Sequence, residues 1–395
     1  MPNYPLEFCF AGVHCGLKPA RELDLAMFAS TRSCTAAGVF TTNQIKAAPV
    51  VYDQELLQAG GQFRAVVANS GNANACTGDK GNLNARQMAA QAAERLACIP
   101  EEVLVLSTGV IGVQLPMGQI RSGIGIAAQE LAPDGAGRAA RAIMTTDTRP
   151  KMASRRSEQG FSITGFAKGS GMIAPHMATM LAILLTDAEV AQPDLQSALE
   201  QAVSSSFNRI VVDGDMSTND TVLLLANGAS NSKPKELDWE NFCSLLGEVC
   251  SELAQSIVRD GEGASKFIEI TVSGAPDSAA ATQIGRSIAT SALCKTAFYG
   301  ADPNWGRILC AAGYAGVPFK PSELALWLVD LQDGHRIQLV SGGEPAGYDE
   351  LAAAHLMQQP EWGLQLDLGQ GNAESICWTC DLSEEYIQIN SHYRT

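Results

Sequence analysis

Between residues 239 and 257 the large apolar side chains fall at three- and four-residue steps: Trp239, Phe242, Leu245, Leu246, Val249, Leu253 and Ile257. That spacing predicts a helix with one apolar stripe, and Asp238 stands where a carboxylate would cap its first turn. Beyond Asp260-Gly261 the period changes. Ile268, Ile270 and Val272 alternate with Glu269, Thr271 and Ser273, which predicts a strand with one buried face. The N-terminal half mixes the same two periods. Residues 64–69 (RAVVAN) read as a strand entering a Gly/Asn loop over 70–78, and residues 82–98 read as a helix. Residues 103–106 form a short strand that opens into STGVIG at 107–112. Residues 139–144 close another helix, followed by the polar run TTDT at 145–148. Residues 180–185 (MLAILL) are an unbroken apolar run, residues 375–382 are strand-like, and residues 228–235 (GASNSKPK) read as a loop. There is no internal repeat, low-complexity tract or flexible linker. Strands and helices alternate loosely, with long polar loops at the strand ends. The expected class is therefore α/β or α+β, with layered sheets covered by helices and the chemistry in the loops.

Composition narrows the function. At 395 residues and 46% hydrophobic content a sizeable core is available, in one large domain or two ordinary ones. A net charge of −15 disfavours nucleic acid and anionic membrane surfaces as partners. The longest apolar run falls far short of the ~20 residues that span a bilayer. Residues 1–18 lack a basic start and carry Glu7 within the would-be apolar region, unlike a secretory segment. Eleven scattered Cys residues then suggest reduced thiols and a cytoplasmic protein. Cys377 and Cys380 form a C-x-x-C, but in a strand positions i and i+3 face opposite ways, so metal or redox use is disfavoured. The five His residues show no ligand spacing, and no metal is expected.

The most informative stretch is KGSGMIAPHMATML at 168–181. Lys168 opens a Gly loop that ends at Pro175. The small residue Ala178 precedes Thr179, and a buried strand is expected to start at Met180. A Thr hydroxyl is a weak nucleophile that needs a base beside it. If the Ala178-Thr179 bond is cut, the new α-amine of Thr179 lies on the same residue, and its ordinary pKa near 8 suits that task. The hydroxyl can make the cut itself, by shifting the Ala178 acyl group from nitrogen to oxygen. Taken alone, the same pattern also fits a plain turn.

This stretch closely resembles the cleavage region of the ornithine acetyltransferase family, also called the glutamate N-acetyltransferase family of arginine biosynthesis, whose hallmark is KGSGMI-x-P-x-MAT-ML. Further blocks look like the family's in the right order: SGNANACTG at 70–78, STGVIG at 107–112, TTDT at 145–148, VDGDMSTNDT at 212–221, DGEGA at 260–264, ADPNWGR at 301–307 and YIQINSHYRT at 386–395. The resemblance covers almost the whole chain. It implies self-cleavage between Ala178 and Thr179, giving an alpha chain (1–178) and a beta chain (179–395) that begins with the nucleophile. It implies that Thr108 and Gly109 form an oxyanion hole, and that Thr145, Lys168, Thr179, Glu262, Asn390 and Thr395 bind substrate. It also implies a sandwich of β-sheets flanked by helices, similar to the Ntn-hydrolase type, with the fragments associating as two alpha and two beta chains.

The implied reaction is ping-pong. Thr179 takes acetyl from N-acetylornithine, and glutamate then removes it as N-acetylglutamate. No cofactor is implied, although some members of the family also accept acetyl-CoA. Lys168 could meet a substrate carboxylate and Glu262 a substrate ammonium, or the two could simply pair with each other. For Asn390 and Thr395 to reach a site the C-terminus must be docked, which is expected of a strand around residues 386–389. Cys294 and Cys310 look like core-filling residues. His176 is tempting as a base, but the α-amine already supplies one. The alternatives are a related self-cleaving aminopeptidase that lets water discharge the intermediate, and a non-catalytic protein that keeps the fold.

Overall fold

The computed structural model describes residues 4–19, 21–174, 180–230 and 237–392. Its first part runs β1 (Phe8–Val13), β2 (Leu25–Phe40), α1 (Ala48–Ala59), β3 (Phe63–Asn72), α2 (Gly78–Leu96), β4 (Val103–Val110), α3 (Met117–Gln129), α4 (Ala136–Ala142), β5 (Lys151–Arg156) and β6 (Ser162–Lys168). It continues with β7 (Leu181–Thr186), α5 (Gln192–Ser205), β8 (Ile210–Val211), β9 (Thr221–Ala226) and α6 (Trp239–Arg259). The remainder is β10 (Phe267–Ala275), α7 (Ser278–Thr290), α8 (Ala292–Tyr299), α9 (Trp305–Gly313), β11 (Ala325–Val329), β12 (Arg336–Ser341), β13 (Glu344–Pro345), α10 (Glu350–Met357), β14 (Glu361–Asp367), β15 (Ala373–Cys380) and α11 (Glu384–His392).

Strand periodicity explains the layering. The strands run in the order β4-β3-β2-β9-β7-β6-β5, with β1 beside β2. The first half of the long strand β2 pairs with β3 and its second half with β9, with a break in register between Ala29 and Cys34. The sheet thereby folds over on itself into two leaves. Alternate residues sort into different cores. Val66, Leu104, Ile183 and Leu185 point between the leaves, where the Phe28 and Phe166 rings meet edge-on at 5.0 Å. Their neighbours Val67 and Val105 face Met88 and Ala92 of α2. Ala182 and Leu184 face Leu246 and Leu253 of α6. The order is helix–sheet–sheet–helix, the layered sandwich expected. Each fully buried Leu, Ile or Phe contributes about 1.5–3 kcal/mol over exposure, so four facing surfaces make the site's scaffold stiff.

A second sheet, β13-β12-β11-β14-β10-β15-β8, packs α7 to α10 over a separate core. Its other face meets α6 through Phe267, Trp378 and Cys380. The long helix forms where its apolar stripe predicts, and the Asp238 carboxylate accepts from the Asn241 N–H at 3.1 Å. All eleven Cys residues are free thiols. Cys377 and Cys380 are buried on strand β15, and among the described residues no cluster of ligands could hold a metal. Cys294 fills the core as expected, but Cys310 is exposed, because α9 turns that face outward. No described helix is long and apolar enough to cross a membrane.

Two local readings change. The strands expected over 64–69 and 103–106 run on to Asn72 and Val110, so Thr108 and Gly109 lie in a strand and not in a turn after it. The parallel pairs Ser70↔Thr108 and Gly71↔Gly109 carry the extension. The C-terminal segment expected as a strand is the helix α11.

Candidate active site

Strand pairing closes the site. Lys168, the last residue of β6, pairs antiparallel with Leu181, the first of β7. The connection of residues 169–180 therefore leaves and returns at the same point. Leu181 pairs in turn with Thr221 of β9, and the Met180 N–H donates to Asp220 Oδ1 at 3.0 Å. The Gly loop is gripped from outside. Asp213 accepts from the N–H groups of Met172 at 2.5 Å and Ile173 at 2.8 Å, and the Ile173 carbonyl accepts from Val212. Burial raises the Asp213 carboxyl, and these backbone donors partly offset it.

Beside this loop lies a cleft of about 690 Å³, counting its open mouth. Thr108, Gly109, Thr145, Lys168, Glu262 and Asn390 all line it. They come from five separate segments: the end of β4, the loop after α4, the end of β6, the turn after α6, and α11. Six of the predicted site residues thus share one cleft. Ala178, Thr179 and Thr395 lie outside the described residues, as does His176.

Gly109 has φ +130°, a backbone conformation that favours glycine. A Cβ there would fall 2.3 Å from the Gly71 carbonyl carbon and 2.5 Å from the Asn72 nitrogen. Both strand ends are fixed by Asn219, whose amide donates to the Ala73 and Ser107 carbonyls, each at 2.7 Å.

The cations divide into two kinds. Lys151 is buried and paired twice, with Asp147 at 2.6 Å and Asp260 at 2.5 Å. Lys168 is equally buried, at 2% exposure, but among the described residues no carboxylate lies within ion-pair distance of its ammonium. Burial lowers its pKa, while the nearby Asp147 charge acts to keep it protonated. Asp147 itself is pushed up by burial, but Lys168, Lys151 and the Gly169 N–H outweigh that and hold it well below the carboxylate range. Its other oxygen accepts from the Thr145 N–H at 2.9 Å, which ties that loop to the charge cluster.

Glu262 does not form an ion pair with Lys168. Its carboxylate accepts from Asn390 Nδ2 at 2.8 Å and rests against Gly171, where a Cβ would fall 2.3 Å from Oε2. The helix α11 brings Asn390 there. Tyr386 donates from its hydroxyl to Asp213 at 3.2 Å, and Ser383 donates to the Gly263 carbonyl at 2.6 Å. The last described segment, the helix α11, is therefore docked on the site. The cleft offers a cation with no ion pair among the described residues, an anion held by an amide, and a glycine strand end with tight backbone geometry. That set suits a small zwitterionic substrate and a developing oxyanion. Asp213, Asn219 and Tyr386 were not singled out from the sequence. Asp213 and Asn219 fall within the block at 212–221 and Tyr386 opens the last block, so position in those blocks was the only available signal.

The sequence profile of the ArgJ family matches residues 9–395. The arginine biosynthesis bifunctional protein ArgJ of Thermotoga neapolitana is 47% identical over 398 residues, covering 99% of each chain. That of Symbiobacterium thermophilum is 48% identical over 399 residues, covering 99% of this chain and 98% of its own. Among solved structures, the arginine biosynthesis bifunctional protein of Bacillus halodurans is 37% identical over 52% of this chain and 96% of its own, with a TM-score of 0.47.

Proposed function

The chain belongs to the ArgJ family, and on that premise we propose that it cuts itself between Ala178 and Thr179 and then uses Thr179 to carry acetyl from N-acetylornithine to glutamate. It is an acyltransferase of arginine biosynthesis, a glutamate N-acetyltransferase of the bifunctional type. The observation that supports the detailed reading is the convergence of Thr108, Gly109, Thr145, Lys168, Glu262 and Asn390 on one cleft, beside the strand that starts after Thr179.

The steps follow from these groups. The free α-amine of Thr179 takes the hydroxyl proton as the oxygen attacks the acetyl carbonyl of N-acetylornithine. Donors at Thr108 and Gly109 meet the oxyanion, a contribution of about 3 kcal/mol for one such donor. The amine then gives its proton to the leaving nitrogen, and ornithine departs. Glutamate attacks the acetyl ester in the reverse sense. Lys168 receives the α-carboxylate that both substrates carry, and Glu262 receives the side-chain ammonium of ornithine. Thr145 and Asn390, with Thr395, close around the amino acid. The fragments 1–178 and 179–395 stay together and assemble as two alpha and two beta chains in the cytoplasm. The second activity of the bifunctional type is read as acetyl transfer from acetyl-CoA to glutamate.

A denaturing gel and a transfer assay test this together. The wild type should give two bands and Thr179→Ala one, while Thr179→Ser should still cut to some extent. Purified wild type should form N-acetylglutamate from N-acetylornithine and glutamate. Release of acetate without transfer to glutamate would point to a hydrolase and overturn the reading.

A further inference from the structure

The donors assigned to the oxyanion and the strand that follows the nucleophile come from different parts of the sheet. Thr108 and Gly109 lie near the end of β4, and Thr179 precedes β7. In the strand order β4-β3-β2-β9-β7, three strands stand between the two. No ladder bond therefore sets where the donors stand relative to β7, and an oxyanion hole works only when that placement is fixed in advance. The local ladder does not hold them either. β3 and β4 lose register at Gly71-Asn72, where Asn72 stands opposite both Thr108 and Val110. Such an irregularity disrupts the ladder and re-aims the peptides beside it, so another group must hold them.

Asn219 is placed to do so. It is 5% exposed, lines the cleft, and comes just before Thr221, which pairs with Leu181 at the start of β7. Both hydrogens of its side-chain amide are committed, one to the Ser107 carbonyl and one to the Ala73 carbonyl, each at 2.7 Å. Its Oδ1 accepts from the Thr218 hydroxyl at 2.6 Å, and its backbone N–H donates to Ser217 Oγ at 3.1 Å, so the side chain is held in one orientation. The Ala73 N–H in turn donates to the Val110 carbonyl at 2.9 Å. Thr108 and Gly109 are thereby bracketed. The residue before them is tied to Asn219 directly, and the residue after them through Ala73. The Ser107 carbonyl shares one planar peptide with the Thr108 N–H, so a bond to that oxygen fixes the plane leading into the donors. Asn69 also accepts from the Ser107 hydroxyl and donates to the Asn72 carbonyl, but it joins β3 and β4 only to each other. Asn219 joins them to β9, and through β9 to β7.

We propose that Asn219 is the positioning residue of the oxyanion hole, setting Thr108 and Gly109 relative to β7. The inference rests on the reading of Thr108 and Gly109 given above. Asn219 meets no reacting atom and acts through the Ser107 and Ala73 carbonyls. After the cut, the same two bonds would run from fragment 179–395 to fragment 1–178. The hole would then take its donors from one fragment and their holder from the other.

The test is Asn219→Ala, Asn219→Asp and Asn219→Gln in the full chain, with Asn227→Ala as a control for the loss of a buried amide. Asn227 donates to the Leu6 carbonyl at 2.9 Å and to Ser30 Oγ at 3.1 Å, and it lines no part of the cleft. Steady-state kinetics are measured with N-acetylornithine and glutamate each varied, per molecule that a denaturing gel shows to be cut, alongside thermal melting. Asn219→Ala should lower kcat about 10- to 100-fold, up to the cost of misplacing a group by about 1 Å. KM for both substrates should change little, since the loss falls on the transition state. Asn219→Asp turns a donor facing two carbonyls into an acceptor and should lose at least as much. Asn219→Gln keeps the amide and should recover part of kcat. Asn227→Ala should lower the melting temperature and leave kcat unchanged. A kcat of Asn219→Ala close to that of wild type overturns the proposal. So does a loss that raises KM and lowers the melting temperature alike in all three Asn219 variants, which would make Asn219 a packing group. Asn219 variants that all stay whole would place it in the cut and not in the transfer, and also overturn it. A normal rate in Gly109→Ala would instead overturn the oxyanion reading on which the proposal rests.

Discussion

Replacing Lys168 with Met should separate binding from stability. In an ordinary buried ion pair, removal of the cation strands a charge and costs about 3–5 kcal/mol. Lys168 differs. It is 2% exposed, yet among the described residues no carboxylate lies within ion-pair distance of it. The nearest charge cluster keeps its own cation, because Lys151 stays bound to both Asp147 and Asp260. Methionine has a similar length and no desolvation cost, so the loss of Coulomb support for Asp147 is offset by relief of a buried ammonium that has no ion pair among the described residues. The melting temperature of Lys168→Met should move by no more than about 2 °C. Binding should fall sharply. A hydrogen bond to a charged group contributes about 1.5–3 kcal/mol, or about a 10- to 150-fold loss in affinity. A carboxylate is held alike in the ground and transition states, so the loss should appear in KM for both substrates with kcat little changed. Steady-state kinetics with each substrate varied in turn, together with calorimetric melting, measure both quantities. Unchanged KM values, or a melting temperature lowered by several degrees, would refute the assignment of Lys168 as the carboxylate receptor.

Gly109→Ala should lower kcat about 10²- to 10³-fold, the range seen when one oxyanion donor is lost, because its Cβ would meet the Gly71 and Asn72 backbone at 2.3 and 2.5 Å; single-turnover acetylation measures it, and a near-normal rate would remove Gly109 from the oxyanion hole. Asp147→Asn should destabilise the fold by about 3 kcal/mol, read by urea unfolding at neutral pH. Because the folded pKa of Asp147 is depressed, its contribution is fully present above the unfolded value of about 4 and is lost as pH falls below it. Repeating the unfolding down through pH 5 to 3 should therefore show a shallower loss of stability in the variant than in wild type.

The parts legible in the sequence were those set by local side-chain period. The stripe from Trp239 to Ile257 and the alternation at Ile268, Ile270 and Val272 need no distant partner to be read, and both elements form. The reading of residues 386–389 failed for the opposite reason. Ile387 and Ile389 alternate with polar neighbours, but tertiary bonds from Ser383, Tyr386 and Asn390 hold a helix there. Likewise Thr108 and Gly109 look like a turn because glycine ordinarily ends a strand, whereas β3 pairs with them across a chain separation of 38 residues. Of the site, the family blocks led to the residues that line the cleft. The grip of Asp213 on the Gly loop, the clamp of Asn219 and the position of Asp220 were not legible, since each depends on contacts about 40 or more residues away.

The strand order gives the proposed cut a further consequence. A break after residue 178 leaves β2, β5 and β6 in the first fragment and β7 and β9 in the second. In the sheet, the two strands of the second fragment lie between β2 on one side and β6 on the other. The fragments would be interleaved and not merely docked, so neither could leave without opening the middle of a sheet. Before the cut, that arrangement is reached by one chain folding alone. Afterwards, a denatured molecule must find its other half. Refolding would then depend on protein concentration where the first folding did not, and the cut enzyme would in practice be an assembly that can be made only once.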